Sequence, residues 1–210
     1  MASNPVRVIV WDEHPGHADK TLYPTSLNGA IADALNIGGD IEARTANLDD
    51  AYQGITQEAL DNADVLIWWG HARHGEVSDE TAEMVKAAVH KGLGFIALHS
   101  AHYSKTFQMV LGCTGHLGGG WRESDPPESE ELTVCAPKHP IAEGVESFVL
   151  DKEEMYGTPF GVPPFETLVF QSYFPQGGEY FPSFATTVGE GIDLEFTSGL
   201  RCRKDRRPRW

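Results

Sequence analysis

Four histidines stand in two pairs of equal spacing, His71/His74 and His99/His102. Each pair follows an apolar run: Val65-Leu66-Ile67-Trp68-Trp69 before the first, Phe95-Ile96-Ala97-Leu98 before the second. Neutral imidazole is the commonest zinc ligand, and it also exchanges protons near neutral pH. Two chemistries therefore fit. In one, His71 and His99 hold a divalent metal, zinc by preference, with Asp12, Glu13 or Glu154 as a further ligand. In the other, His99, His102 and Glu154 move protons or hold substrate hydroxyls. A third reading leaves the histidines as plain caps of the sheet. The chain has no HExxH and no CxxC pattern, so spacing alone leaves the three open.

Other residues border the same region. Glu13 follows the first apolar run, and His74 completes the first pair; both are expected at the substrate, Glu13 alternatively as base. Trp121-Arg122-Glu123 follows Gly118-Gly119-Gly120 and offers a stacking ring beside charged hydrogen-bonding groups, which suits a sugar. The glycines lack the G-x-G-x-x-G spacing and do not follow a strand, so no nucleotide cofactor is expected. Ser100 stands where a nucleophile elbow would, but a G-x-S-x-G turn needs glycine at positions held by Leu98 and His102. A strained turn and a serine nucleophile are therefore not expected, and Ser100 or Ser104 reads as a helix cap.

The elements that carry these residues alternate. Val6–Trp11, Ile41–Ala46, Asp64–Trp69 and Gly94–Leu98 read as strands. Helices are expected over Leu27–Asn36, Gln57–Asn62, Asp79–Lys91 and Lys105–Leu111. The continuous apolar runs mark strands buried on both faces. Alternation of this kind gives an α/β fold with a flavodoxin-like doubly wound parallel sheet. Beyond residue 120 the pattern changes to strands near 131–136, 148–150 and 167–172, a short antiparallel β extension. In open parallel sheets ligands bind at the carboxyl ends of the strands, where the histidines and Glu13 lie.

Composition narrows the partners. The chain carries 31 acidic and 16 basic residues, a net charge of −15. Six of the basic residues and one acid fall within 199–210, so the rest holds 10 basic and 30 acidic residues. Such a body repels nucleic acid and anionic membranes and suits a neutral or cationic ligand. No apolar run approaches the ~20 residues of a membrane span. Three scattered cysteines (Cys113, Cys135, Cys202) and no leader-like start point to a reduced, cytoplasmic protein. A homo-oligomer remains open.

Taken as a set, Val10-Trp11-Asp12-Glu13, Trp68–His74, Ala97–Lys105, Trp121-Arg122-Glu123, His139-Pro140-Ile141 and Glu153–Gly157 resemble the trehalose-utilisation (ThuA-like) family. The resemblance covers roughly residues 5–180. It implies a fold like class I glutamine amidotransferases. It also implies bacterial disaccharide catabolism, with trehalose or a related sugar as ligand and a dehydrogenase-like partner protein. Two hypotheses follow: an enzyme acting on sugars or 3-keto sugars, or a non-catalytic sugar-binding accessory subunit of an oxidoreductase system.

Two departures from the family pattern are visible. Amidotransferases end the strand corresponding to Phe95–Leu98 in a nucleophilic cysteine, and His99 stands here, which removes thiol-based chemistry. After Phe181 the family's pattern stops. The expectation is a ThuA-like domain over 1–181, lacking a final sheet strand, and a divergent tail over 182–210, disordered or produced by a shift of coding frame.

Overall fold

A computed structural model describes residues 4–16, 20–21, 23–188 and 192–196. Strands β1 (Val6–Asp12), β2 (Ile41–Asn47), β3 (Val65–Gly70) and β4 (Gly94–His99) alternate with helices α1 (Leu27–Leu35), α2 (Gln57–Asp61), α3 (Asp79–His90) and α4 (Lys105–Leu111). Each helix begins at a hydroxyl cap. Ser26, Thr56, Ser78 and Ser104 accept the amide three residues on, at 2.9 to 3.2 Å. These caps satisfy donors that the first turn leaves open and mark where each crossover starts. Gly112 ends α4 in the left-handed region.

The second half of the chain adds β5 (Trp121–Arg122), β6 (Glu128–Val134), β7 (Phe148–Glu153), β8 (Met155–Tyr156), β9 (Thr167–Phe174), β10 (Glu179–Val188) and β11 (Ile192–Phe196). One nine-stranded sheet runs β2-β1-β3-β4-β11-β10-β9-β6-β7. Its first five members are parallel and its last four pair antiparallel. The parallel half has the expected flavodoxin-like order. The extension is four strands wide, because the turn at residues 175–178 folds β10 back on β9.

Alternation along the parallel strands sorts the core onto two faces. Ile9, Trp11, Leu66, Trp68, Phe95 and Ala97 pack toward α3 and α4. Val8, Val10, Val65, Ile67 and Ile96 pack on the α1 side. Trp11 and Trp68 are register partners and stack with ring centroids 3.7 Å apart.

Two expectations change. The boundary placed at residue 181 falls inside β10, which continues to Val188, and β11 fills the strand position beside β4 that was expected to be missing. Residues 197–210 lie outside the described residues. Gly118–Gly120 form a turn closed by the Gly120 amide on the Leu117 carbonyl at 3.0 Å. They lead into the β5–β8 ribbon, where the Gly119 amide donates to the Gly157 carbonyl at 3.2 Å. A Cβ on Gly157 would sit 2.7 Å from the Gly119 carbonyl oxygen, backbone against backbone.

Gly157→Ala is therefore expected to cost about 2 kcal/mol or more, the scale of overpacking where nothing flexible can give. Gly75→Ala meets open space, and its effect should stay within about 0.5 kcal/mol. Urea unfolding of both variants checks the contrast.

Candidate functional site

The site begins with two buried acids at the end of β1. The Glu13 carboxylate accepts three successive amides of the turn after β3: His71 (2.9 Å), Ala72 (2.7 Å) and Arg73 (2.9 Å). Burial alone would raise its pKa, but the three N–H donors hold it below the ordinary carboxylate value. Arg73 closes the turn from outside, donating to the Glu13 carbonyl at 2.8 Å and pairing with Asp49 and Glu76. Arg73 and His14 together pull the Asp49 carboxyl down to about 2. Asp12 faces the other way and accepts the amides of His14 (2.9 Å) and Asn28 (3.2 Å). With fewer donors, burial wins there and the Asp12 pKa is raised.

The turn held by Glu13 delivers His71 to the end of β4. There His99 adopts φ 57° and ψ −135°, a left-handed conformation that is costly for a residue with a Cβ. Strict alternation would place His99 with Phe95 and Ala97, toward α3 and α4. The reversal instead turns its imidazole to the opposite side, beside Ile96 and Leu98. It stacks there on Trp69, with centroids 5.3 Å apart and planes at 11°. Thus the strained turn absent from the sequence reading does form, one residue earlier than Ser100. The Ser100 hydroxyl is engaged with the Gly70 carbonyl at 3.1 Å.

Three side chains then form a line. His71 Nδ1 lies 2.8 Å from His99 Nε2, and His99 Nδ1 lies 3.2 Å from the Tyr156 hydroxyl. Burial and the nearby Glu154 charge raise the Tyr156 pKa, so the phenol keeps its proton. Assigning tautomers from this pattern, the phenol donates to His99 Nδ1, and His99 Nε2–H donates to His71 Nδ1. Tyr156 and His99 border a cleft of about 910 Å³. Its floor is the α1-side sheet face, Ile67, Ile96 and Leu98, and Phe170 and Phe174 wall it. Glu130, Glu143, Glu153 and Glu154 line it as well, and no Lys or Arg does among the described residues.

The sequence-predicted residues separate accordingly. His71, His99 and Glu154 come to the line or its cleft. His102 does not: it is fully buried, and its Nδ1–H donates to the Gly115 carbonyl at 2.6 Å. Packed against Tyr103, Tyr156 and Phe160, it is driven to a pKa of about 4 by burial. His74 packs beside Gly70, half-buried, its pKa lowered by burial. Glu13 is spent on backbone amides. Arg122 is locked between Glu128 and Glu179, whereas Trp121 is 62% exposed, opposite Tyr156 in the β5–β8 ribbon. Sequence reasoning assigned no role to Tyr156 and placed Trp69 in the core. Alternation could have separated Trp69 from Trp68, but nothing local marks Tyr156.

The described residues do not assemble the expected zinc centre. Among the described residues no three His, Cys, Asp or Glu side chains are arranged to hold one ion. His71 and His99 bond to each other, and Glu13 is occupied.

Two outcomes follow. In Glu13→Gln the amide NH₂ must face at least one N–H donor, so about 2–3 kcal/mol of stability should be lost; chemical denaturation measures it. His102 gives a pH signature. Its depressed pKa makes the neutral ring's contribution full above about pH 6.5 and lost as the pH falls towards 4. Between pH 7.5 and 5 the native chain should lose about 2 kcal/mol more than His102→Phe, read by urea unfolding at both pH values.

The fold is shared with solved structures. A ThuA-like protein of Parabacteroides merdae superposes with a TM-score of 0.65 at 13% identity, covering 91% of this chain and 79% of that one. A ThuA-like protein of Bacteroides uniformis gives 0.62 at 16% identity, covering 93% and 83%. No curated protein matches the chain. The family profile described as trehalose utilisation, ThuA, matches residues 7–192. On that match over most of its length, the chain belongs to the ThuA family.

Proposed function

We propose that this protein processes trehalose-type disaccharides or their 3-keto derivatives by proton transfer through His71, His99 and Tyr156. The observation that carries the reading is the continuous hydrogen-bonded line of these three groups, with Tyr156 and His99 at a cleft large enough for a disaccharide. Its family membership supports a role in trehalose utilisation.

The line can act as a relay that recharges a general acid. A proton taken up at His71 Nε2 releases the Nδ1 proton to His99 Nε2. His99 in turn releases its Nδ1 proton to the Tyr156 oxygen as the phenol gives its own to the ligand. That sequence needs the alternative tautomers of both rings, which the same hydrogen bonds accept. No charge is left behind. A sugar carrying a ketone needs such a donor at an oxygen that faces the cleft. Trp69 stacked on His99 keeps the ring in line. A lining of carboxylates without Lys or Arg favours a neutral sugar over a sugar phosphate. In this reading the ketone comes from a separate dehydrogenase-like partner.

Incubation with 3-keto-trehalose, followed by chromatography of the products, should show turnover. Tyr156→Phe and His99→Ala should each lower kcat by about 100-fold or more, the usual worth of a general acid or base. Saturable sugar binding with no turnover would overturn the catalytic reading and assign the chain to an accessory, sugar-binding role.

A further inference from the structure

We propose that the cleft takes a glycoside with an uncharged, apolar aglycone, aryl by preference, its sugar at His99 and its aglycone over the apolar side chains beyond. The cleft is divided by chemistry. Its polar groups gather around the hydrogen-bonded line. Glu154 and Glu153 act by charge on Tyr156, and Glu130 and Glu154 act by charge on Glu153. Tyr156 in turn bonds to His99. Carboxylates, a phenol and an imidazole in one neighbourhood are the acceptors and donors that sugar hydroxyls need.

The rest of the lining has a different character. Leu35, Ile67, Ile96 and Leu98 belong to one apolar cluster on the α1 side of the sheet. Leu132, Ile141 and Phe170 belong to another. Phe148 and Val145 also line the cleft, yet they remain 44% and 38% exposed. Strand geometry keeps this part away from the carboxylates. Phe148 precedes Glu153 by five residues on β7, about 15 Å along the strand. The Ser172 hydroxyl, which also faces the cleft, is taken by Glu130.

A second sugar ring laid over these side chains would press hydroxyls against groups that neither donate nor accept, and unmade hydrogen bonds are costly. An aryl group meets no such cost. It covers the exposed part of Phe148 and removes apolar area from water. Glu143 stands on the same side, and no described lining residue is cationic, so a carboxylated or phosphorylated aglycone is disfavoured. Placing the sugar at His99 rests on the proton-transfer reading above, whereas the apolar subsite rests on the lining alone.

The test is calorimetric titration of the full chain with phenyl α-D-glucopyranoside, methyl α-D-glucopyranoside and trehalose. The phenyl glycoside should bind at least about tenfold more tightly than the methyl glycoside, the scale of discrimination that an apolar pocket gives. It should also bind more tightly than trehalose. Phe148→Ala and Val145→Ser should each weaken the phenyl glycoside about threefold or more and change the methyl glycoside less than about twofold, because only the aglycone loses apolar contact. Both side chains are exposed, and either variant alone suffices for the comparison. Val149→Ala, on the same strand but outside the cleft lining, should change neither ligand. Equal binding of the two glycosides overturns the proposal. So does a phenyl advantage that survives both substitutions, or tighter binding of trehalose. Turnover of 3-keto-trehalose without a phenyl advantage overturns the apolar subsite alone. A phenyl advantage lost in Phe148→Ala, with no turnover of a 3-keto sugar, supports the subsite and overturns the catalytic reading. Failure of all three ligands to bind overturns both.

Discussion

The buried Glu13 carboxylate meets three consecutive backbone amides, and the arrangement of the site depends on that contact. A turn leaving a parallel sheet must satisfy its N–H groups without a neighbouring strand to accept them. Here one side chain from β1 does so for the turn after β3. The cost of burying the charge is offset by the three donors, so the acid stays ionised and the turn stays closed. Only because residues 71–73 are held this way does His71 stand 2.8 Å from His99. Glu13 thus positions the site without facing the cleft.

The second constraint is the reversal at His99. A left-handed residue with a Cβ persists only where its surroundings over-determine it. The surroundings here are Trp69 against the ring, His71 and Tyr156 on its two nitrogens, and Ser100 tied to the Gly70 carbonyl. The reversal moves an imidazole from the packed side of the sheet to the cleft side. It also explains the different fates of the second histidine pair. His102, three residues on, turns into the core and bonds to Gly115.

The antiparallel half of the sheet gives the site its second wall. Strands β6, β7 and β9 bring Glu130, Glu153, Phe170 and Phe174 to the face on which Ile96 and Leu98 lie. The β5–β8 ribbon, possible only because Gly119 and Gly157 approach without side chains, carries Tyr156 onto His99. The parallel half therefore supplies imidazoles and the antiparallel half supplies the phenol, the carboxylates and the depth of the cleft.

Much of this was legible in the residues alone. Continuous apolar runs predict strands buried on both faces, hydroxyl caps and glycines bracket the helices, and alternation of the two predicts a parallel doubly wound sheet with its histidines at the carboxyl edge. Those are local properties, set by period, capping and steric freedom within a few residues. Which of those residues meet is set by the assembled fold. His71 and His99 are 28 positions apart and His99 and Tyr156 are 57 apart. Glu13 could equally have been a ligand until its amide partners were known. Trp68 and Trp69 have the same composition and opposite roles, because strand phase relative to the helices is not written in either residue. Whether an imidazole is a proton carrier or a packed core ring depends on burial and partners. Both are properties of the assembled sheet, not of the spacing that first drew attention to the histidines.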